Sequence, residues 1–254
     1  MYDLSTRQHA LRLVEQGRSL NSVSKETGVS RSAIRSWLVR IEPHMPQNLC
    51  ARCRNDPPSP ADAYSYLLGL YLGDGNISEN RRGVYALRIA CADAYPGLIT
   101  ACEQAILAVH PHNRVCRVQK PGCVAVTSWS KHWPCLFPQH GPGKKHERPI
   151  VLEEWQRVVV DAHPWEFIRG LIHSDGCRIT NWTTRMVAGE RKRYEYPRYF
   201  FTNKSDDIRR LFTDTLDAVG VGWTTLARGS APFNVSVARR DAVALLDARV
   251  GPKS

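Results

Sequence analysis

A chain of 254 residues of which 43% are hydrophobic can bury one large core or two modest ones, which excludes a disordered polymer. Its net charge of +11 favours an anionic partner: nucleic acid, an acidic membrane surface or an acidic protein. Apolar runs such as 66–73 stop short of the ~20 residues of a membrane span, no signal-peptide pattern opens the chain, and the eight cysteines follow no disulfide spacing, so a cytoplasmic protein is expected.

Residues 1–41 read as three short helices. Leu4, Leu11, Leu13 and Val14 form one stripe, Gly17 ends that helix and Ser19 caps the next. Leu20, Val23 and Thr27 continue the pattern. Gly28 supplies a turn, Ser30 an N-cap, and Ile34, Trp37 and Leu38 a further apolar face. Residues 42–60, rich in proline and without periodicity, read as a linker. Cys50 and Cys53 lie there as a lone CxxC. One such pair does not close a zinc site, although His44, His132 or Cys135 could add ligands. The alternative is that the pair has no function.

An internal repeat follows. YLLGLYLGDGNIS starts at Tyr66 and FIRGLIHSDGCRI at Phe167, which sets Asp74 and Asp175 101 positions apart. A strand then a helix is expected after each motif, and then a hairpin (NRVCRV with GCVAVTSWS, GWTTLA with FNVSVAR). A repeat this long implies a duplicated domain with pseudo-two-fold symmetry. The expected halves are 61–137 and 164–250, joined by 138–163, whose Pro138–Pro149 stretch carries Lys144, Lys145, His146 and Arg148.

Gly69 and Gly73 are four apart, as are Gly170 and Ser174, so each pair shares a helix face and two backbones can pack closely there. Leu67, Leu70, Ile168 and Leu171 are left to face the sheets, and Gly75 and Gly176 are expected as left-handed helix caps. An Asp at a helix C-terminus meets the negative end of the dipole, and two side by side repel. Repeating that penalty makes sense if cations sit there, since paired carboxylates holding Mg²⁺ can stabilise both oxygens of a phosphodiester displacement. The alternative is a pair of amphipathic helices ending in Asp-Gly turns. The duplication of small residues, Asp-Gly and downstream elements speaks against it.

LLGLYLGDG and IRGLIHSDG resemble the two motifs of single-chain LAGLIDADG homing endonucleases over roughly 61–250. The resemblance implies an α+β fold of two αββαββα halves, sheets that lie in the DNA major groove, and a monomer with an internal pseudo-dimer. It implies Asp74 and Asp175 as catalytic acids and metal ligands for Mg²⁺ or Mn²⁺, helped by the carbonyls of Gly73 and Ser174. Lys131 and Arg239, each after the last strand of its half, align as supporting catalytic cations, the alternative being solvated strand ends. Arg81, Arg82, Arg88, Arg114, Arg117, Lys120, Lys144, Lys145, Arg178, Arg185, Arg198 and Arg228 are candidates for duplex contacts, mostly to phosphate.

LNSVSKETGVSRSAIRSWL resembles helix-turn-helix segments of bacterial regulators and transposase-like proteins. That implies a recognition helix on which Ser30, Arg31, Ser32 and Arg35 face DNA. The alternative is a small protein-interaction module. The functional expectation is a metal-dependent, sequence-specific DNA endonuclease of intein- or intron-associated type, acting at the nucleoid. A transcriptional regulator that uses the same scaffold without cleavage is the alternative, and an RNA maturase shares the motif.

Overall fold

Three short helices open the chain: α1 (Leu4–Glu15), α2 (Leu20–Thr27) and α3 (Arg31–Val39). The structure, a computed structural model, describes residues 4–39, 41, 58–228 and 231–254. Local chemistry sets the helix ends. Ser19 Oγ accepts from Ser22 N over 3.2 Å, Gly28 takes φ 69°, and Ser30 Oγ accepts from Ala33 N over 3.3 Å. Ala10, Leu13, Val23, Val29, Ile34 and Trp37 form a separate small core. Leu38, expected on the apolar face, is instead 53% exposed. Most of the linker, with Cys50, Cys53 and His44, lies outside the described residues.

The larger part repeats one architecture twice. In the first half α4 (Ala61–Asp74) leads into β1 (Gly75–Glu79), β2 (Tyr85–Ala92), α5 (Pro96–Val109), β3 (Val115–Lys120), β4 (Cys123–Ser130) and the short α6 (Trp133–Leu136). In the second, α8 (Pro164–Asp175) leads into β5 (Gly176–Val187), β6 (Glu190–Thr202), α9 (Asp206–Ala218), β7 (Thr224–Arg228), β8 (Ala231–Val237) and α10 (Arg240–Arg249). The antiparallel sheets have matching orders, β1-β2-β4-β3 and β5-β6-β8-β7. Among the described residues no helix is long and apolar enough to cross a membrane.

Each sheet turns one face to the helices, and in the first sheet Ala86, Ala125 and Thr127 of the opposite face are buried as well. Ile89, Val126 and Leu87 in the first, and Phe201, Tyr199 and Val235 in the second, turn toward the helices, so their strand neighbours form an outer face. α4 is buried without a break from Tyr64 to Leu72, the pattern of a helix enclosed on all sides.

The segment between the halves is not a plain connector. It contains α7 (Glu154–Ala162), and Gln156 Nε2 donates to Tyr64 Oη on α4 over 2.7 Å. Ile150 N donates to Asp207 Oδ2 over 2.9 Å. The chain also packs beyond the expected limit at 250, where Ser254 O accepts from Leu98 N of the first half over 2.9 Å.

Candidate active site at the paired helix ends

α4 and α8 meet along the small residues. A methyl on Gly170 would stand 2.2 Å from Tyr66 O and 2.9 Å from Gly69 Cα; one on Gly69 would stand 2.6 Å from Phe167 O. Farther along, a methyl on Gly73 would lie 2.1 Å from Ser174 Oγ and 3.1 Å from Asp175 Oδ2. Small side chains therefore bring the two helix ends together. Ser174 fits because its hydroxyl folds back onto the carbonyls of Gly170 and Leu171, at 3.0 and 2.9 Å.

Gly75 and Gly176 do not take the left-handed conformation expected from sequence; both are extended, at φ −84° and −102°. Glycine is needed there for space. The chain turns straight from helix into strand, and a methyl would stand 2.5 Å from Tyr71 Cα or 2.7 Å from Ile172 Cα, in the turn just left. That reversal fixes each Asp at the junction of a helix and the first strand of its sheet.

The two acids share a site but not an environment. Asp74 opens to solvent, yet partial burial and then the neighbouring Asp175 push its carboxyl up to about 6. Burial also raises Asp175, but a hydrogen bond from Asn203 Nδ2 to its Oδ2, 2.6 Å long, opposes the rise. Asn203 follows β6. Strand register puts Gly75 opposite Ile89 and Gly176 opposite Phe201, so the corresponding position in the first half is Cys91.

Two lysines also act on the acids. Lys145 Nζ donates to the carbonyls of Tyr71, Leu72 and Gly73, the last two over 3.0 Å, and Lys253 Nζ donates to Ser174 O over 2.7 Å. The electrostatic penalty inferred from the sequence is thus partly offset by ammonium groups at both helix ends. Burial pulls Lys145 down to about 7, against the upward influence of Asp175 and Asp74. Lys145 was expected on a phosphate-contacting linker; the packed 138–149 segment directs it to the helix end instead.

The donor set suits a hard cation: two carboxylates, with the carbonyls of Gly73 and Ser174 each retaining a second lone pair. Among the described residues no group of three or more His, Cys, Asp or Glu side chains could hold a metal, so water or phosphate would complete the coordination.

Lys131 and Arg239 do not correspond as the sequence alignment suggested. Register pairs Val126 with Ile89 and Val235 with Phe201, which sets Lys131 against Arg240. Lys131 and Arg239 are exposed, and Arg239 is paired with Asp241 at 2.9 Å. The cations whose charge acts on the acids are Lys145 and Lys253.

The sheets sort the arginines. Arg117 lies on the helix side, held by Glu103 of α5 at 2.8 Å, and Arg178 on the helix side of β5 is forked onto Asp247 of α10 at 2.6 and 2.9 Å. Strand alternation turns both away from the outer face, contrary to the sequence expectation. Arg88, Lys120, Arg185 and Arg198 share the outer-face register, and Arg198 lies over the rings of Tyr196 and Phe200, 5.4 Å from each centroid. Arg81 and Arg82 are exposed in the turn between β1 and β2, Arg114 is exposed before β3, and Lys144 is exposed and paired with Glu147. In the N-terminal helices Ser30, Arg31, Ser32 and Arg35 are exposed.

A cleft of about 610 Å³ opens beside the acids, lined by Asn76, Lys144, His146, Asp175, Asn203 and Lys204 among others. Asn203 and Lys253 were not identified from sequence. Asn203 could have been found by carrying the β-hairpin register from Asp175; Lys253 gives no sequence signal, because it reaches the site only through tertiary packing.

No protein-family model matches the chain, and no curated sequence does. Solved structures do. I-DmoI in complex with DNA and Mn aligns over 75% of this chain and 97% of its own, with a TM-score of 0.50 and 13% identity. The LAGLIDADG meganuclease I-AabMI bound to uncleaved DNA aligns over 73% and 83%, with a TM-score of 0.46 and 11% identity. The N-terminal LAGLIDADG domain of DUF199/WhiA aligns over 78% and 88%, with a TM-score of 0.45 and 12% identity. The larger part of this chain, two αββαββα halves joined along a glycine seam, has the LAGLIDADG homing-endonuclease fold.

Proposed function

We propose that the chain is a metal-dependent endonuclease that binds duplex DNA along the outer faces of its two sheets and hydrolyses phosphodiesters at the paired helix ends. The observation that carries this reading is the convergence of Asp74 and Asp175 at the junction of two packed helices, each leading directly into its sheet. A bound divalent ion would supply charge neutralisation for the phosphate and an activated water. Asp74 and Asp175 would hold it, Asn203 fixes one oxygen of Asp175, and Lys145 and Lys253 each donate to the carbonyl that precedes one acid. Arg88, Lys120, Arg185 and Arg198 would meet the duplex, with Tyr196 and Phe200 stiffening Arg198. The three N-terminal helices are assigned to a helix-turn-helix that adds a second DNA contact through Ser30, Arg31, Ser32 and Arg35. The chain is assigned as a monomer, since the duplication supplies both acids.

One feature favours the second reading, a regulator that binds without cutting: Lys145 and Lys253 place ammonium groups at both acid-bearing helix ends. Selecting bound duplexes from a random library, then incubating them with Mg²⁺, with Mn²⁺ and with EDTA, separates the two. Cleavage in metal that is lost in Asp74→Asn and Asp175→Asn, with binding in Ca²⁺ retained, supports the endonuclease. Tight binding by the wild type without cleavage in either metal assigns the regulator.

A further inference from the structure

Lys145 and Lys253 reach equivalent points by unrelated routes. Lys145 comes from a 3-10 turn between the halves, Lys253 from the segment after α10, and the two hold no matching places in the duplication. Yet each donates to the carbonyl of the residue just before an acid, Gly73 or Ser174. Both segments are tied down. Lys144 N donates to Glu147 Oε2 over 3.2 Å, and Arg148 Nη1 donates to Gln139 O over 2.5 Å. At the other end Ser254 O accepts from Leu98 N, and Gly97 leaves room for Ser254 Oγ where a methyl would lie 2.5 Å away. The ammonium groups are therefore built into the site.

Resting on the endonuclease reading, we propose that Lys145 and Lys253 are positioning residues that occupy the place of a divalent cation at the two helix-end carbonyls, and that a metal ion enters each end in exchange for the lysine's hold. Two carboxylates and two ammonium groups balance. A divalent ion arriving without DNA meets no net negative charge, whereas a bound phosphate restores it. The two lysines thus make metal loading depend on DNA.

The test is Mn²⁺ titrated into the full-length protein without DNA, with free ion followed by electron paramagnetic resonance. Wild type is expected to bind weakly. Lys145→Met and Lys253→Met should each tighten binding by roughly tenfold or more, since the lysine's positive charge beside the acids is removed. Lys145→Arg, which keeps the charge, should stay near wild type, and adding Asp74→Asn with Asp175→Asn to Lys145→Met should erase the gain. Thermal melting should show Lys145→Met destabilised without Mn²⁺ and recovered with it; if that variant does not fold, Lys253→Met carries the same comparison. Unchanged or weaker Mn²⁺ binding in the methionine variants, or a gain that survives loss of both acids, overturns the proposal. A gain in a protein that cuts no DNA leaves the proposal standing and removes the endonuclease reading.

Discussion

Asn203 donates to Asp175 Oδ2 over 2.6 Å, while Cys91 occupies the corresponding position of the first half. The amide is oriented by Ser205 N, which donates to Asn203 Oδ1 over 2.8 Å. Removing it should raise the Asp175 carboxyl further, since burial would then act against one opposing hydrogen bond fewer. Asn203→Ala is therefore expected to shift the Asp175 titration upward, read by carboxylate ¹³C NMR in EDTA, and to slow cutting of one DNA strand more than the other. Equal slowing of both strands with an unmoved titration would show that the contact is incidental.

The helix seam predicts an asymmetric rescue. Gly170→Ala places a methyl against the backbone carbonyl of Tyr66, which no side-chain change can move, and should cost about 1–3 kcal/mol or more. Gly73→Ala collides with the Ser174 side chain, so Ser174→Gly should restore much of its loss. Denaturant melts of the two single variants and the double variant provide the measurement. Failure of Ser174→Gly to rescue Gly73→Ala would mean the helix ends are packed differently.

His140 is 4% exposed, and its Nε2 is buried without a hydrogen-bond partner among the described residues. Burial first, and then the Arg148 charge, depress its pKa from 6.5 to about 4. As pH falls below 6.5 the unfolded chain takes up a proton that the folded chain refuses until about 4, so the stability present above 6.5 is lost on acidification through that window. His140→Phe, close in shape and without a charge, should remove an acid-induced loss on the order of 3 kcal/mol. Urea melts at pH 7 and pH 4.5 compare the slopes; identical pH dependence in wild type and variant would show that His140 is not a source of it.

Arg178 and Arg198 belong to the same strand pair but to opposite faces. Arg178→Met should lower stability by about 1 kcal/mol through loss of its fork on Asp247, and leave DNA affinity near wild type. Arg198→Ala should do the reverse, weakening DNA binding by about 1–3 kcal/mol or reducing the salt slope by about one charge. Binding isotherms at several salt concentrations, paired with thermal melts, distinguish them. A large affinity loss in Arg178→Met would place DNA on the helix side of the sheet.

Much of the architecture was legible in the sequence because it is local or repeated. The Ser19 and Ser30 caps, the Gly28 turn, and the strand and helix at β2–α5 and β6–α9 follow from residue chemistry and spacing, whereas β1 and β5, the first strand after each motif, were not read from it. The recurrence of GxxxGDG and GxxxSDG set two Asp residues at the same point of two helices. Tertiary structure alone decided the rest, because strand alternation and chain crossings are set by register and packing, which sequence spacing does not carry. It turned Arg117 and Arg178 to the helix side, drew Lys145 and Lys253 to the acid-bearing ends from unrelated segments, and made Gly75 and Gly176 necessary for clearance instead of a left-handed cap. The symmetry that the repeat implied is also broken: Asn203, legible only once the β5–β6 register is carried from Asp175, reaches that acid, and the corresponding position of the first half, in β2, is Cys91.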